Sequence, residues 1–390
     1  MNIYYWSPFL SHIATIKSVK NSAWSLQYFS KNKIQTNIIN VIGEWDSYKK
    51  ELKKKNIKLI NFSRTNFFYK KLPKNGFFKT RFSYLLIIFK SAITLHKFLK
   101  KKNKNDIIVI HLIVSLPLIL NFFFNYKCQF ILRISGLPKL NFIRSILWKL
   151  SNKKMRYVTC PTEGTKNDII KKNIFDESKI CVLRDPVLVL KDIKNILKKK
   201  NDRILNFDYI ICIGRLTNQK NFKLIVKNFN KILELDKNIN LVILGDGENF
   251  KDLKDLSEKS GNNDNIHLLG FKKNILSYLK NAKCFVLTSK WEDPGFVLVE
   301  AAFARVPILS SNCKHGPSEI LSFGQGGYLF ENDDIDSFLK NYQIFLNDIK
   351  NNKEKIKSFK LKNYKMIKQF TIFNHFKNFN EILGTIINEK

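Results

Sequence analysis

Two glutamates eight positions apart, Glu292 and Glu300, flank a Pro-Gly pair and an apolar run in KWEDPGFVLVEAAFARVPILSS (residues 290–311). Acidic residues are scarce in this chain, which has 32 Asp and Glu against 68 Lys and Arg. A carboxylate accepts hydrogen bonds from adjacent hydroxyl groups, so the pair could hold a sugar nucleotide. The alternative interpretation is a loop glutamate followed by a solvated helix glutamate.

Gly295 is predicted to begin the helix that carries Glu300, because an apolar run follows the Pro-Gly pair. The first turn of a helix presents unpaired N–H groups and a partial positive charge, which bind phosphate. If that turn holds a phosphate, Glu300 would reach a ribose and Glu292 a sugar beyond the phosphates. The apolar neighbours of Glu300 also predict a largely buried helix, in which a carboxylate needs a partner.

Arg215 and Lys220 flank a polar loop, GRLTNQKN, that directly follows the strand-like run YIICIG. Two cations there can neutralise a diphosphate, since Arg offers a planar fork of donors and Lys a point charge. The alternative is two further basic residues in a basic protein. The position at the carboxyl end of a strand favours the diphosphate, because ligands of open parallel sheets bind at that edge.

Apolar runs of strand length alternate with helical patterns such as FKLIVKNFNKIL, which predicts an α/β protein with doubly wound parallel sheets. The strands predicted in the second half are YIICIG, LVILG, HLLGF, CFVLTS, PILSS and GGYLF. Those predicted in the first half are IYYWS, TNIINVI, IKLINFS, IIVIH, CQFILRIS, YVTCPT and KICVLRDP. We therefore expect two Rossmann-like domains that face each other across a cleft.

The domain boundary is predicted near residues 186–200, where the chain becomes polybasic (KDIKNILKKK) before the next strand. Residues 1–190 would form the N-terminal domain and residues 200–369 the C-terminal domain. A last helix, about residues 370–390, would pack back on the N-terminal domain.

Basic charge is concentrated in the first half of the chain. Residues 1–200 hold 40 Lys and Arg against 10 Asp and Glu, whereas residues 201–390 hold 28 against 22. A compositional bias alone would act on both halves alike. We therefore expect the first half to face an anionic partner, such as a membrane surface, a phosphorylated substrate or nucleic acid. A solvated basic surface is the alternative.

The six cysteines show no CxxC spacing, which predicts buried free thiols rather than disulfides or a zinc site. The segment MNIYYWSPFLS has no basic stretch before an apolar core, so we expect no signal peptide. The apolar run over residues 107–124 is long enough to suggest a membrane span. His111, Pro117 and Asn121 interrupt it, however, and favour a strand over residues 107–111 followed by a Pro-started helix.

The segment SKWEDPGFVLVEAAFARVPILSSNCKHGPSEIL resembles the signature of retaining glycosyltransferases of family 4, which have the GT-B fold. That signature contains a Glu-x7-Glu pair in an E-G-F-G-like loop, then E-A-x-A-x-G-x-P-V and a G-x-x-E turn. IGRLTNQKNF resembles the family's diphosphate loop, and LVILGDGE and NIHLLGFKKNILSYLKNA match the next two blocks in order. The resemblance covers roughly residues 207–345 with strong motifs. It is weaker over the first half, where VIHLIVSLP, ILRISGLPK and LRDPV fit in order.

The resemblance assigns roles to ten residues. Glu300 corresponds to the ribose-binding glutamate and Glu292 to the glutamate near the donor sugar. Arg215 and Lys220 correspond to the diphosphate pair. His111 corresponds to a histidine that contacts the donor sugar, although a lone histidine in an apolar run is more often a core residue. Gly295, Phe296 and Val297 correspond to the loop whose amides approach the phosphate and the sugar. Gly270 and Phe271 correspond to the segment near the base.

The chain departs from the family pattern in three places. Asp293 stands where the first loop glycine is usual, and Arg305 replaces the glycine before Val306-Pro307. The loop SPFLSHIATIKSVKNSAW lacks the Gly-Gly pair often seen after the first strand.

Two other motifs have simpler interpretations. Asp334-Ile335-Asp336 is a DxD pair, which holds a metal in another glycosyltransferase fold. Here it precedes an apolar helix, so Asp334 is predicted to cap that helix, and we expect no metal and no cofactor. The glycines of LGDGE do not have the spacing of a dinucleotide fingerprint.

Together these patterns predict a retaining glycosyltransferase that moves a sugar from a nucleotide diphosphate sugar, expected to be a UDP-sugar, to a hydroxyl of a glycan or lipid-linked acceptor. The bacterial relatives it most resembles build capsules, O-antigens and lipid-linked glycans, which predicts a role in cell-surface polysaccharide synthesis. The N-terminal domain would bind the acceptor and the C-terminal domain the donor. The basic N-terminal domain would rest on the anionic inner face of the cell membrane, which makes the protein cytoplasmic and peripheral. We expect no nucleic acid partner.

Two alternatives remain open. A sugar-nucleotide epimerase of the same fold needs no lipid acceptor and leaves the basic first half unexplained. A non-catalytic basic protein that binds membrane or nucleic acid explains the charge but not the order of the motifs.

Overall fold

The structure, a computed structural model, describes residues 1–10, 14–63, 67–73, 77–136, 140–190 and 204–388. The chain divides into two compact units. The N-terminal unit comprises Met1–Val187 and Thr371–Lys390, and the C-terminal unit comprises Leu188–Phe370. The polybasic stretch in which the boundary is predicted, residues 191–200, lies outside the described residues.

The N-terminal unit is built on a parallel sheet that has seven strands among the described residues. They are β1 (Asn2–Trp6), β2 (Gln35–Asn40), β3 (Lys58–Asn61), β4 (Asp106–Ile110), β5 (Gln129–Arg133), β6 (Tyr157–Cys160) and β7 (Ile180–Val182). Their order across the sheet is β3-β2-β1-β4-β5-β6-β7, so the direction of winding reverses between β1 and β4. All seven strands predicted in the first half are confirmed.

Helices cover both faces of this sheet. They are α1 (Ala14–Phe29), α2 (Lys49–Lys54), α3 (Phe67–Lys71), α4 (Phe77–Lys100), α5 (Ser115–Phe123), α6 (Phe142–Ser151), α7 (Glu163–Lys171) and the C-terminal helix (Ile372–Asn388). Successive strand residues point to opposite faces. Ile3 and Tyr5 therefore share a core with α1, α2 and the C-terminal helix, whereas Tyr4 and Trp6 share a core with α4, α5, α6 and α7.

The C-terminal unit is built on a second parallel sheet, with six described strands. They are β8 (Tyr209–Ile213), β9 (Asn240–Leu244), β10 (Ile266–Leu268), β11 (Cys284–Leu287), β12 (Ile308–Ser311) and β13 (Tyr328–Phe330). Their order is β10-β9-β8-β11-β12-β13. The predicted α/β class with doubly wound parallel sheets is confirmed.

The helices of the C-terminal unit connect these strands in turn. They are α8 (Lys223–Lys227), α9 (Phe229–Leu235), α10 (Phe250–Lys259), α11 (Ile275–Asn281), α12 (Phe296–Ala304), α13 (Pro317–Ile320), α14 (Ile335–Asn351) and α15 (Lys353–Ile367). The helical pattern FKLIVKNFNKIL forms two helices, because Asn228 leaves helical geometry between them. Its side chain donates to the carbonyl of Leu224 (2.8 Å), a bond that competes with the regular helix.

The apolar run over residues 107–124 forms β4 and α5, as predicted, although α5 begins at Ser115, two residues before Pro117. Another helix, over Phe78–Lys100, is long and apolar enough to cross a membrane by length and composition. This helix was not predicted from the sequence as a candidate membrane span. All six cysteines are free and five of them are buried, which confirms the prediction of free thiols.

Candidate functional site

The winding of the C-terminal sheet reverses between β8 and β11, since the chain runs from β8 outward to β9 and β10 and then returns to β11. In open parallel sheets, ligands bind outside the carboxyl ends of the strands at such a switch point. The loops that follow the two strands are residues 214–221 and 288–295. The first carries Arg215 and Lys220, and the second carries Glu292.

Lys220 and Glu292 form an ion pair across this switch point, from Nζ to Oε1. Their side chains are only 13% and 5% exposed. Ser289 Oγ donates to the same carboxylate oxygen at 2.6 Å. An ammonium group has three N–H donors, so Lys220 can hold Glu292 and still donate to phosphate oxygens.

Further hydrogen bonds fasten the two loops to each other. The amide of Lys290 donates to the carbonyl of Gln219 (2.8 Å), and Gln219 Nε2 donates to the carbonyl of Trp291 (2.9 Å). Thr288 Oγ1 donates to the carbonyl of Lys220 at 2.7 Å. Because the two loops are tied to each other at several points, these hydrogen bonds support the geometry of the ion pair.

Gly295 is the residue from which α12 starts, as predicted, and its φ is +92°. Side chains with a Cβ are strained in this left-handed region, which explains the glycine. The preceding Asp293–Pro294 peptide bond is cis. The first turn of α12 follows the loop that carries Glu292, and amides at the start of a helix can bind an anion.

Glu300 lies at the start of the second turn of α12. Five other residues of the helix are buried: Val297, Leu298, Val299, Ala301 and Ala302. Glu300 is only half-buried, on the same less buried face as Phe296 and Phe303. The prediction of a largely buried helix is therefore confirmed, and Glu300 lies on its less buried face.

The remaining predicted donor-binding residues lie at the same edge of the sheet. Gly270 follows β10, and its carbonyl accepts from the amide of Gly245 (2.9 Å), which follows β9. Phe271 and Arg215 are exposed. An exposed aromatic ring at this edge can stack on a nucleotide base.

His111 belongs to the N-terminal unit, where it directly follows β4 at the switch point of that sheet. It is buried, and its Nδ1 lies 3.3 Å from Ser135 Oγ. Burial, together with the nearby Arg133 and His375, lowers the pKa of His111 well below its usual value. Nine of the ten predicted residues thus lie at one edge of the C-terminal sheet, and the contact of His111 with the donor sugar stays a prediction.

Sequence reasoning missed the hydroxyl residues that support Glu292. Ser289 donates to its carboxylate, and Ser311 Oγ donates to the carbonyl of Ser289 at 2.7 Å. Thr288, Ser289 and Ser311 are all fully buried. The available signal was a run of hydroxyl residues at the carboxyl ends of two apolar strands, CFVLTS and PILSS, where buried polar groups need partners.

The predicted helix cap at Asp334 is confirmed, and the glycines of LGDGE have a local packing role. Asp334 caps α14, since its carboxylate accepts from the amide of Ser337 at 2.9 Å. Gly245 of LGDGE has a positive φ, and a Cβ there would overlap the carbonyl of Gly214, so this glycine lets two strand-end loops touch. Within the part of the chain that the structure describes, no cluster of three or more His, Cys, Asp or Glu could hold a metal ion.

Residues 193–362 match the family model of glycosyl transferases group 1. The matched residues lie within the C-terminal unit, Leu188–Phe370, and make up most of it. This match confirms the family resemblance of the motifs around Glu292 and Glu300. The matched residues include both switch-point loops, and the enzymes of this family transfer sugars.

Two relatives of known sequence agree with this family match. An uncharacterized glycosyltransferase of Methanocaldococcus jannaschii is 37% identical over 149 residues, which cover 38% of this chain and 35% of that protein. The UDP-Gal:alpha-D-GlcNAc-diphosphoundecaprenol alpha-1,3-galactosyltransferase of Escherichia coli is 31% identical over 188 residues, 46% of this chain and 48% of that protein. The chain thus spans less than half of the length of either relative.

The crystal structure of Anabaena HepE in complex with UDP shares the fold of the whole chain. It is 14% identical and has a TM-score of 0.71 over 99% of this chain and 100% of that chain. The likeness confirms the predicted GT-B fold.

Proposed function

We propose that this protein is a retaining glycosyltransferase that moves a sugar from a UDP-sugar to a hydroxyl of a glycan or lipid-linked acceptor in cell-surface polysaccharide synthesis. The observation that carries the proposal is the Lys220–Glu292 pair at the switch point, next to the start of α12 at Gly295. The UDP bound to Anabaena HepE supports the choice of donor. The diphosphoundecaprenol acceptor in the name of the E. coli relative supports a lipid-linked acceptor.

In this proposal, the diphosphate is held by Arg215, Lys220 and the amides of the first turn of α12. Negative charge grows on the diphosphate as the sugar leaves, and these fixed donors stabilise it without a metal ion. Removing one such preorganised donor typically lowers kcat by about 10²- to 10³-fold. No cofactor is required, because the nucleotide sugar is a substrate.

The two glutamates have different roles in this proposal. Glu300, half-buried on α12, accepts from the hydroxyls of the ribose. Glu292 accepts from Lys220 and Ser289 on one oxygen. A carboxylate offers about four acceptor positions, so Glu292 retains capacity for hydroxyls of the donor sugar. His111 positions the same sugar.

The N-terminal unit would bind the acceptor and rest on the inner, cytoplasmic face of the cell membrane. Residues 1–200 carry 40 Lys and Arg against 10 Asp and Glu, and such a surface is attracted to anionic lipid. A membrane position also suits an acceptor that is anchored by a lipid.

A thermal-shift screen of nucleotides and nucleotide sugars in the presence of EDTA tests this function. Ligand at about 100 times its Kd stabilises a protein by about 2.7 kcal/mol, which corresponds to a rise in Tm of about 5–10 °C for a unit of this size. We expect UDP and a UDP-sugar to give such a shift. The shift should be lost in Glu300→Ala and kept in Glu234→Ala, an exposed glutamate on α9.

The outcome also separates the alternatives. Stabilisation by oligonucleotides and by no nucleotide sugar would identify a nucleic-acid-binding protein. If NMR detects the formation of an isomeric UDP-sugar in the absence of an acceptor, the protein is an epimerase. Transfer to a lipid-linked acceptor with retention of the anomeric configuration is the result that we expect.

A further inference from the structure

A stripe of large apolar side chains runs along the exposed side of α4. Its members are separated by three or four positions, which places them on one face of a helix. They are Phe78, Phe82, Leu85, Phe89 and Ile93. Single exposed apolar residues are normal on a soluble protein, whereas five on one helix face indicate an interaction surface.

A second exposed apolar face lies on α6, which covers the same side of the N-terminal sheet as α4. Its members are again at helical spacing. They are Phe142, Ile143, Ile146 and Leu150. Helix α5 packs against both α4 and α6, and its end adds exposed apolar side chains at residues 122–124. We call the exposed apolar residues of α4 and α6, as named above, the apolar surface.

Exposed cations accompany the apolar surface. Lys79, Arg81, Lys90 and Lys97 lie along α4, and Arg144 and Lys149 lie on α6. Between Glu51 and Glu163 the sequence has 24 Lys and Arg and a single acid, Asp106, which is buried. Two copies of this chain facing each other here would bring like charges together. An anionic bilayer matches both the charge and the apolar side chains.

Helix α4 is also long enough to span a membrane, but its opposite face belongs to the core of the N-terminal unit. Ile87, Leu95 and Leu99 are buried there in the same cluster as β1 and β4. A spanning helix would have to leave this core and expose it. A helix with one face in the core and an apolar face flanked by cations lies in the membrane interface instead.

The same helix borders an open groove of about 310 Å³ at the carboxyl edge of the N-terminal sheet. Val41 and Ile42, which follow β2, and Phe62, which follows β3, form one side of it, and Lys90 and Thr94 of α4 form the other. Ligands of parallel sheets bind at this edge. A bilayer against α4 would therefore lie beside the edge at which an acceptor is expected.

We propose that the apolar surface of α4 and α6 inserts into the headgroup region of an anionic bilayer. Charge attracts the N-terminal unit to the membrane, and the aromatic and aliphatic side chains of the apolar surface then enter it. The biological purpose of this insertion, which is to bring the enzyme to a lipid-linked acceptor, rests on the proposed function. It specifies a binding mode that charge alone does not provide.

Co-sedimentation of the full chain with vesicles tests the proposal. The vesicles contain phosphatidylcholine alone or mixed with phosphatidylglycerol, and the salt is low or about 1 M, where charges are screened beyond about 3 Å. We expect binding to the anionic vesicles that persists in part at high salt. Phe82→Ser/Phe89→Ser should weaken it at least about tenfold, since the variant loses the burial of two aromatic side chains in the bilayer.

A matched control is Tyr28→Ser/Leu361→Ser. Tyr28 and Leu361 are exposed apolar residues on α1 and α15, 62% and 55% exposed, compared with 58% for Phe82 and 75% for Phe89. The control should bind vesicles like the unaltered chain. Depth can be read with Phe89→Trp, whose added fluorescence should be quenched by brominated lipid, whereas that of Leu361→Trp should not.

Three results would overturn the proposal. The first is no binding to anionic vesicles, and the second is binding that is abolished by high salt and is unchanged in Phe82→Ser/Phe89→Ser. The third is light scattering that shows a dimer for the unaltered chain and a monomer for this variant. The last result would show that a second copy covers the apolar surface. UDP-induced thermal stabilisation is measured without vesicles. A failure of membrane insertion is therefore distinguishable from a failure of the proposed function.

Discussion

Substituting Lys220 by Met removes one partner of the ion pair at the switch point and leaves Glu292 buried. The carboxylate is 5% exposed, and Ser289 would remain as its hydrogen-bond donor. Breaking a buried pair from one side costs about 3–5 kcal/mol, because the remaining charge is unpaired. The lysine is 13% exposed, so water can replace part of the lost interaction, and we expect about 3 kcal/mol.

The double variant Lys220→Met/Glu292→Gln should be the more stable of the two. It removes both charges and keeps an acceptor for Ser289, so we expect a loss of only about 1 kcal/mol. Glu292→Gln alone completes a double-mutant cycle, whose coupling energy should be at least about 2 kcal/mol. Hydrogen exchange of β8, which lies in the centre of the C-terminal sheet, reads the stability of that unit alone. Two results would refute the interpretation of the pair as buried and mutually stabilising. One is a loss of less than about 1 kcal/mol of unfolding free energy in Lys220→Met, and the other is an equal loss in Lys220→Met and in the double variant.

Three further results are expected. Gly295→Ala should weaken UDP binding about tenfold in calorimetry, because Ala is strained at a φ of +92° and shifts the first turn of α12. Gly324→Ala is the control, because Gly324 precedes β13, has a φ of +87° and has open space around an added Cβ, so it carries similar strain and should leave UDP binding unchanged. An equal loss of UDP affinity in both variants would contradict a local role of Gly295 in binding. Burial lowers the pKa of His111 and lowers that of His375 to about 4. Below about pH 6.5 the unfolded chain binds protons on these two rings that the folded chain does not bind. The free energy of unfolding should therefore decrease as the pH is lowered, by about 1.4 kcal/mol per pH unit for each histidine. His375→Gln should remove one ring's share of that slope in urea denaturation between about pH 7 and pH 5, and an unchanged slope would argue against a neutral buried ring. Asp334→Ala should cost about 1 kcal/mol of urea-measured stability, and Asp336→Ala, whose side chain is exposed, less than about 0.5. The reverse order, or loss of turnover in EDTA, would revive a metal role for the DxD pair.

The strands were the most predictable part of the fold. Each is a short apolar run, because a parallel strand covered on both faces buries nearly every side chain. Pro-Gly before an apolar helix likewise predicted the start of α12. The cap at Asp334 was predictable because a capping interaction is local and depends on few residues.

Pairings between distant loops were not predictable from local pattern. Lys220 and Glu292 are 72 positions apart, and they meet only because β8 and β11 are neighbours in the sheet. The apolar surface of α4 was missed for a different reason. Both faces of this helix are apolar, so the sequence pattern does not show that Ile87 faces the core and Phe89 faces solvent. The half-buried position of Glu300 was not predictable either, because neighbouring apolar residues do not reveal the direction of one side chain.

The central claim is that the switch-point loops and the start of α12 bind the diphosphate and ribose of a sugar nucleotide. Calorimetric titration of UDP into the full chain, in EDTA, tests it most directly. We expect one site per chain, with binding weakened at least about tenfold in both Arg215→Ala and Glu300→Ala and unchanged in Glu234→Ala. No binding of UDP or any other nucleotide, or equal affinity in all four proteins, would contradict the claim.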